Sequence, residues 1–477
     1  MIITHKRRRI QLLISGLNRT NAAEKGVRFF DAPLTNPTAR FPFTRILQRL
    51  TPILLLLVLL DCGSSESIPD DLTILEVWAH AGQESERATL QAQVARFNAH
   101  QSDLQIKLTL IPEGSYNAQV QAAAVADELP DLLEFDGPFL YAYVWQGRLQ
   151  PLDDLLPDTL QNDLLPSIIE PGRYHQRLWA VGTFDSGLGL YADRSQLQAA
   201  SIRIPTLKQP WNRSEFNDIL RRLAQNDPDG QVLDLKLNYA GEWYTYAFSP
   251  LIQSAGGDLI DRRDYRWASG ILNCPATVSA LRTLQNWILE GRVDPNIDGA
   301  AFVTRRVALA FGGHWNYRQY HESFGDELLL LPLPDFGQGP RTGQGSWTWA
   351  VTANSQHPRA AARFLAFLLR PEEILAMTDA NGAVPATHSA IARSPRYRPG
   401  GPLRLFVKQL DGGYAVSRPR TPAYPVITAE FQKAFDRIRS GGDVQSALDR
   451  AARVIDNEIE DNRGYPLIGR ALEEATR

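Results

Sequence analysis

From Leu72 onward the period of the apolar residues switches repeatedly, and that switching limits the fold more than any other feature of the chain. Leu72-Thr73-Ile74-Leu75-Glu76-Val77-Trp78 is an apolar, β-branched run of strand length. Glu84 to His100 then carries Leu90, Val94 and Phe97 at helical spacing on one face. Leu104–Leu110 alternates with a period of two, Tyr116–Leu129 is Ala-rich and helical, and Pro130-Asp131 stops it before Leu132-Leu133-Glu134-Phe135. Strand, helix, strand, helix, strand at this spacing predicts an α/β domain with a largely parallel sheet.

A second series follows. Tyr174–Gly182 reads as a hairpin strand and Leu188-Gly189-Leu190-Tyr191 as an apolar strand. Helices are expected through Gln225, capped by Ser214 or a neighbour, and from Pro275 to Glu290. Others are expected over 358–369, 371–378, 428–440 and 444–462. The Pro/Gly/Arg-rich stretch Ser394–Pro402 reads as a crossing between two such domains. No short-period repeat is present.

The ends differ in charge. Residues 1–61 carry ten Lys/Arg against Glu24, Asp31 and Asp61, a net of +7, while the whole chain is −3. The remaining body is therefore acidic, at −10, and lacks the basic surface that nucleic acid requires. Arg40, Arg45 and Arg49 precede an apolar run ending at Leu60 that is too short for the roughly 20 residues of a membrane-crossing helix. Positive charge, a short apolar run, then Asp61-Cys62-Gly63-Ser64-Ser65 resembles a bacterial lipoprotein signal, with Cys62 as the acylated residue. Asp61 stands where such signals carry a small residue. Residues 1–61 are thus expected to be leader and signal, and 62–71 a flexible tether. The second cysteine, Cys274, has no partner at disulfide or metal spacing.

Several short motifs recur in an order that is similar to family 1 extracellular solute-binding proteins, the maltose-binding-like receptors of ABC importers. They are Gly147-Arg148-Leu149-Gln150-Pro151-Leu152-Asp153, Leu178-Trp179-Ala180-Val181, Gly189-Leu190-Tyr191-Ala192-Asp193, Pro250–Gly257, Gly313-His314-Trp315, Leu331-Pro332-Leu333-Pro334 and Gly382-Ala383-Val384-Pro385-Ala386. The resemblance spans about residues 72–465. It implies a two-lobed α/β fold with a hinge and an interlobe cleft. Residues 72–184 and 346–392 would form the first lobe, 188–343 and 400–470 the second.

The resemblance also implies a ligand captured between the lobes. Sugars need flat aromatic platforms together with side chains that donate and accept hydrogen bonds. By position, Trp315 matches the family's sugar-stacking aromatic, Trp243 and Tyr244 an aromatic binding loop, and Tyr424 a third platform. On the first lobe Trp78, His80, Gln83, Glu84 and Asp136 are candidates, with Asp185 at the hinge and Trp347 on the second crossing. The partners implied are a carbohydrate, the permease subunits of an importer and, through Cys62, the outer face of a membrane; the receptor itself is expected to be a monomer. No nucleophile elbow, metal motif or nucleotide fingerprint appears, so no catalytic residue, cofactor or metal is expected. Two alternatives stay open: a receptor for a polyamine, peptide or glycerol phosphate, and a secreted glycosidase using Asp136 and Asp185 as its carboxyl pair.

Overall fold

The alternation that opens the body becomes a sheet covered on both faces. A computed structural model of the chain describes residues 72–296 and 298–467; the leader, the tether and Cys62 lie outside the described residues. Strands Thr73–Ala81, Leu104–Pro112 and Leu132–Asp136 run parallel. Helices Glu84–Ala99 and Glu113–Ala126 are the crossovers that a parallel pairing requires. A late strand, Trp347–Val351, joins antiparallel to Leu132–Asp136 and sets Trp347 opposite Asp136. Alternate residues point to opposite faces of a strand, so Leu75, Val77 and Ala79 enter one core with Leu90, Val94 and Phe97. Leu133 and Phe135 enter a second core, on the other face, with Tyr116 and Val120.

The second sheet is mixed. Leu188–Asp193 pairs antiparallel with both Leu309–Gly313 and Leu328–Leu331, and Leu233–Asp234 runs parallel to Leu309–Gly313. Helices Arg213–Gln225, Glu242–Ser254, Pro275–Leu289, Tyr424–Arg439 and Val444–Asp461 share one core with it. Asn212, rather than Ser214, caps the first of these by accepting the Glu215 N–H at 2.9 Å. Pro275, Pro358 and Pro371 each open a helix at the first turn, where the missing N–H has no partner to lose. Among the described residues no helix is long and apolar enough to cross a membrane.

Short pairings stitch the region between the sheets. Phe184-Asp185 pairs with Val384-Pro385, and Thr342–Gln344 runs parallel to Ala415–Ser417. The expected crossing at 394–402 moves. Leu403, Phe406 and Val407 still pack in the first sheet's core, so the chain passes across only after helix Arg404–Asp411. The cause is the amphipathic face of that helix, whose apolar residues find their partners in the first core.

Candidate ligand-binding site

Ligands of α/β proteins collect beyond the carboxyl ends of parallel strands, and here those ends carry His80, Glu113 and Asp136. His80 is buried near the end of its strand, with Nδ1 2.7 Å from Glu134 Oε2. Its ring lies flat on the Trp347 indole, centroids 3.8 Å apart and planes 4° from parallel. Tyr116 meets the same indole edge-on while its hydroxyl donates to the Glu134 carbonyl. Burial works to lower the His80 pKa, but the charge and hydrogen bond of Glu134, with Glu86 and Glu113 adding, raise it to about 9. An imidazolium therefore backs Trp347 and fixes its plane. Glu113 is solvent-exposed yet hemmed in; lost hydration raises its carboxyl, His80 opposes that, and Asp136 and Glu86 add to it.

One guanidinium ties the two lobes together. Arg418 donates through Nη1 and Nη2 to both oxygens of Asp136, at 2.8 and 2.7 Å, and through Nη1 to Glu242 Oε1 at 2.7 Å. It also lies over the Tyr246 ring, 5.0 Å from its centroid. Glu242 opens helix Glu242–Ser254 and accepts from the Tyr424 hydroxyl and, at 2.6 Å, from Thr428. Burial raises the Glu242 carboxyl, Arg418 draws it back, and Asp136 raises it further. Arg418 was not among the residues expected from sequence, and Glu242 entered only as the first residue of the aromatic loop segment 242–246, with no role of its own. The partners of Arg418, Glu242 and Asp136, stand 176 and 282 positions away, a separation that no local pattern reports.

The second lobe supplies an aromatic rack. Trp315 is half-buried and meets Trp243 at 6.1 Å and Tyr246 at 6.4 Å between ring centroids. Trp243 is held by its indole N–H on the Leu235 carbonyl and is met edge-on by Tyr239, which is 42% exposed. The motif Gly313-His314-Trp315 has a steric logic. A Cβ at Gly313 would lie 2.0 Å from the Trp315 ring, so only glycine lets the indole fold back over the chain. His314 is buried on the Asn381 carbonyl, and burial lowers it to about 4, leaving it neutral. Gln83 precedes helix Glu84–Ala99 without capping it and donates instead to the Trp315 carbonyl at 2.9 Å.

These contacts close a circuit: His80 on Trp347, Trp347 paired with Asp136, Asp136 to Arg418 to Glu242, Trp243 to Trp315, and Trp315 back to Gln83. Glu84 stands exposed beside Gln83 in the first helical turn. Asp185 sits where the connecting segments meet, and its Oδ1 accepts the N–H groups of Ser186 (2.7 Å) and Gly345 (3.3 Å). Burial raises Asp185 to about 6, with Ser167 and the two N–H groups holding it back. A carboxyl raised in the folded state is best tolerated protonated. Stability from this site should be greatest below about pH 4 and fall by about 2–3 kcal/mol as pH rises through 6. Urea titrations of the chain and of Asp185→Asn across that range are expected to show a shallower slope in the variant, the remainder coming from other raised carboxyls such as Glu113 and Glu242.

Three expectations are corrected. Tyr244 is 0% exposed and packs on Phe248 and Phe435 inside the second lobe. Neighbouring positions on a helix point about 100° apart, so Trp243 and Tyr244 cannot both face the rack. Trp78 lies in mid-strand and lines a separate depression of about 410 Å³ with Glu76, Pro130 and Asn354. Tyr424 is likewise 0% exposed, edge-on to Phe139, and serves the site only through its hydroxyl on Glu242. Among the described residues no group of three or more His, Cys, Asp or Glu is placed to hold a metal.

The model for "Bacterial extracellular solute-binding protein" matches residues 81–374. The "Uncharacterized lipoprotein in oleD 5'region" of Streptomyces antibioticus is 26% identical over 358 residues, 72% of this chain and 77% of that one. The maltotriose-binding protein of Pyrococcus abyssi is 21% identical over 393 residues, 79% of this chain and 78% of that one. The crystal structure of the cyclic alpha-maltosyl-1,6-maltose binding protein from Arthrobacter globiformis superposes with a TM-score of 0.67 at 24% identity, covering 82% of this chain and all of that one. The two-lobed architecture is therefore shared.

Proposed function

We propose, on the premise that this chain belongs to the bacterial extracellular solute-binding proteins, that it is the exported receptor of an ABC importer and closes its lobes around a mono- or oligosaccharide. The observation that carries this is the circuit of contacts, in which Trp347 from one lobe and Trp315 and Tyr239 from the other, with Trp243 buried behind them, flank carboxylates, amides and a guanidinium. Ring faces suit the C–H surfaces of a pyranose, and the polar groups suit its hydroxyls. The Pyrococcus and Arthrobacter relatives are named for oligosaccharides, which fits the same chemistry.

In this reading residues 72–184 and 346–392, extended by helix Arg404–Asp411, form one lobe. Residues 188–343 and 423–467 form the other. Cys62 carries the lipid anchor, permease subunits receive the ligand, and the receptor acts as a monomer without catalysing a reaction. The site favours this over a glycosidase, because Asp136 is committed to Arg418 and Asp185 is buried on backbone N–H groups. The chamber that Asp185 lines, about 40 Å³, is too small for the two rings of a glycosidic bond.

A thermal-shift panel of carbohydrates tests the assignment, since a ligand that binds only the folded chain raises its melting temperature. Polyamines, peptides and glycerol phosphate belong on the same plate, and stabilisation by one of those alone would overturn the sugar reading. For the sugar that scores, Trp315→Ala is expected to weaken binding by about 1–3 kcal/mol, the contribution of one aromatic platform. An unchanged Kd by calorimetry would take Trp315 out of the site.

A further inference from the structure

A small chamber lies where the connecting segments run side by side, lined among others by Ser167, Asp185, Gly345, Ser417 and Arg418, with a volume of about 40 Å³. Three of its lining side chains hold a buried polar atom that has no protein partner in good hydrogen-bond geometry: Asp185 Oδ2, Ser167 Oγ and Arg418 Nε; Ser167 is near enough to Asp185 to stabilise its charge but is not aligned to bond it. Asp185 is 1% exposed and the Arg418 side chain 5%. Leaving such an atom unsatisfied costs about 1–3 kcal/mol, more when it is charged, so three together call for an occupant.

The chemistry of the three atoms narrows the occupant. Once ionised, above about pH 6, Asp185 Oδ2 only accepts; Arg418 Nε only donates, and the Ser167 hydroxyl does either. An ammonium or metal ion would face the guanidinium, and a phosphate or carboxylate would face Asp185. A neutral group that both donates and accepts satisfies all three, and that group is a hydroxyl. The volume agrees, since a water needs about 10–15 Å³ by this measure and a sugar ring far more. We propose that this chamber behind Arg418 is a binding site for hydroxyl groups, which donate to Asp185 and accept from Arg418. The hydroxyl has two sources, water and an exocyclic hydroxyl of a captured sugar; only the second rests on the receptor reading.

The proposal is tested with high-resolution crystal structures of the exported chain, grown first without carbohydrate and then with maltotriose as the probe. Expected in the first is an oxygen peak within hydrogen-bond reach of Asp185 Oδ2 and Arg418 Nε, and its loss in Ser167→Val, whose methyl groups fill the space. In the second, a peak continuous with sugar density identifies the ligand as the source, and a separate retained peak identifies water. No peak in the first crystals, or one coordinated like a metal or an anion, overturns the site. Failure of maltotriose to bind leaves the first crystals decisive and counts only against that sugar.

Discussion

Replacing Arg418 with Met is expected to destabilise the folded chain by about 3–5 kcal/mol, the largest effect of any single substitution at the site. The guanidinium is nearly sealed from solvent, and its removal strands Asp136 and Glu242, whose side chains keep only 15% and 24% of their exposure. Two like charges then face each other without a counter-ion. Their residual contact with water screens part of the repulsion and draws the figure toward the lower bound. Adding Asp136→Asn and Glu242→Gln to the Met variant removes the stranded charges and should restore most of the loss. Guanidinium unfolding of the three proteins checks this. A Met variant within about 1 kcal/mol of the parent would mean that the fork is not what joins the lobes.

The second large effect is a dependence on pH. His80 has its pKa raised to about 9 when folded, against an ordinary value near 6.5. A base raised on folding contributes stability that is fully present below the unfolded value and is lost as pH climbs through the folded one. The chain should therefore lose about 3 kcal/mol between roughly pH 6.5 and 9 from this residue. Asp185 has completed its own change by about pH 6, so the two windows separate. In Glu134→Gln the imidazolium loses the partner that carries most of its charge stabilisation, and the alkaline decline should shrink. A decline of undiminished size in that variant would assign it to another group.

The fold was legible from Leu72 to Phe135 because each change in apolar period marks a change of element, and the burial of Leu90, Val94 and Phe97 follows from their spacing. The neighbourhood of Trp315 and Trp243, ring beside ring, follows from no local motif, although each motif reads as aromatic. What the sequence concealed falls into two kinds. Arg418 and Glu242 are defined by partners far along the chain, and nothing in Ser417-Arg418-Pro419-Arg420 marks one arginine as buried. Tyr244 and Tyr424 were misplaced because their segments read as loops or as later helices. Both stand in first turns, where the direction of a side chain depends on where the helix begins. Pro425, just inside the helix Tyr424–Arg439, was the signal for the second of these. Trp78 was misplaced by position along its strand, since it sits well short of the end from which the loops depart.

The indole of Trp315 owes its orientation to an atom that glycine lacks. Position 313 works as a keyhole, and even the single methyl of alanine there would meet the indole and force it to move. The setting of that ring is cut into the main chain itself.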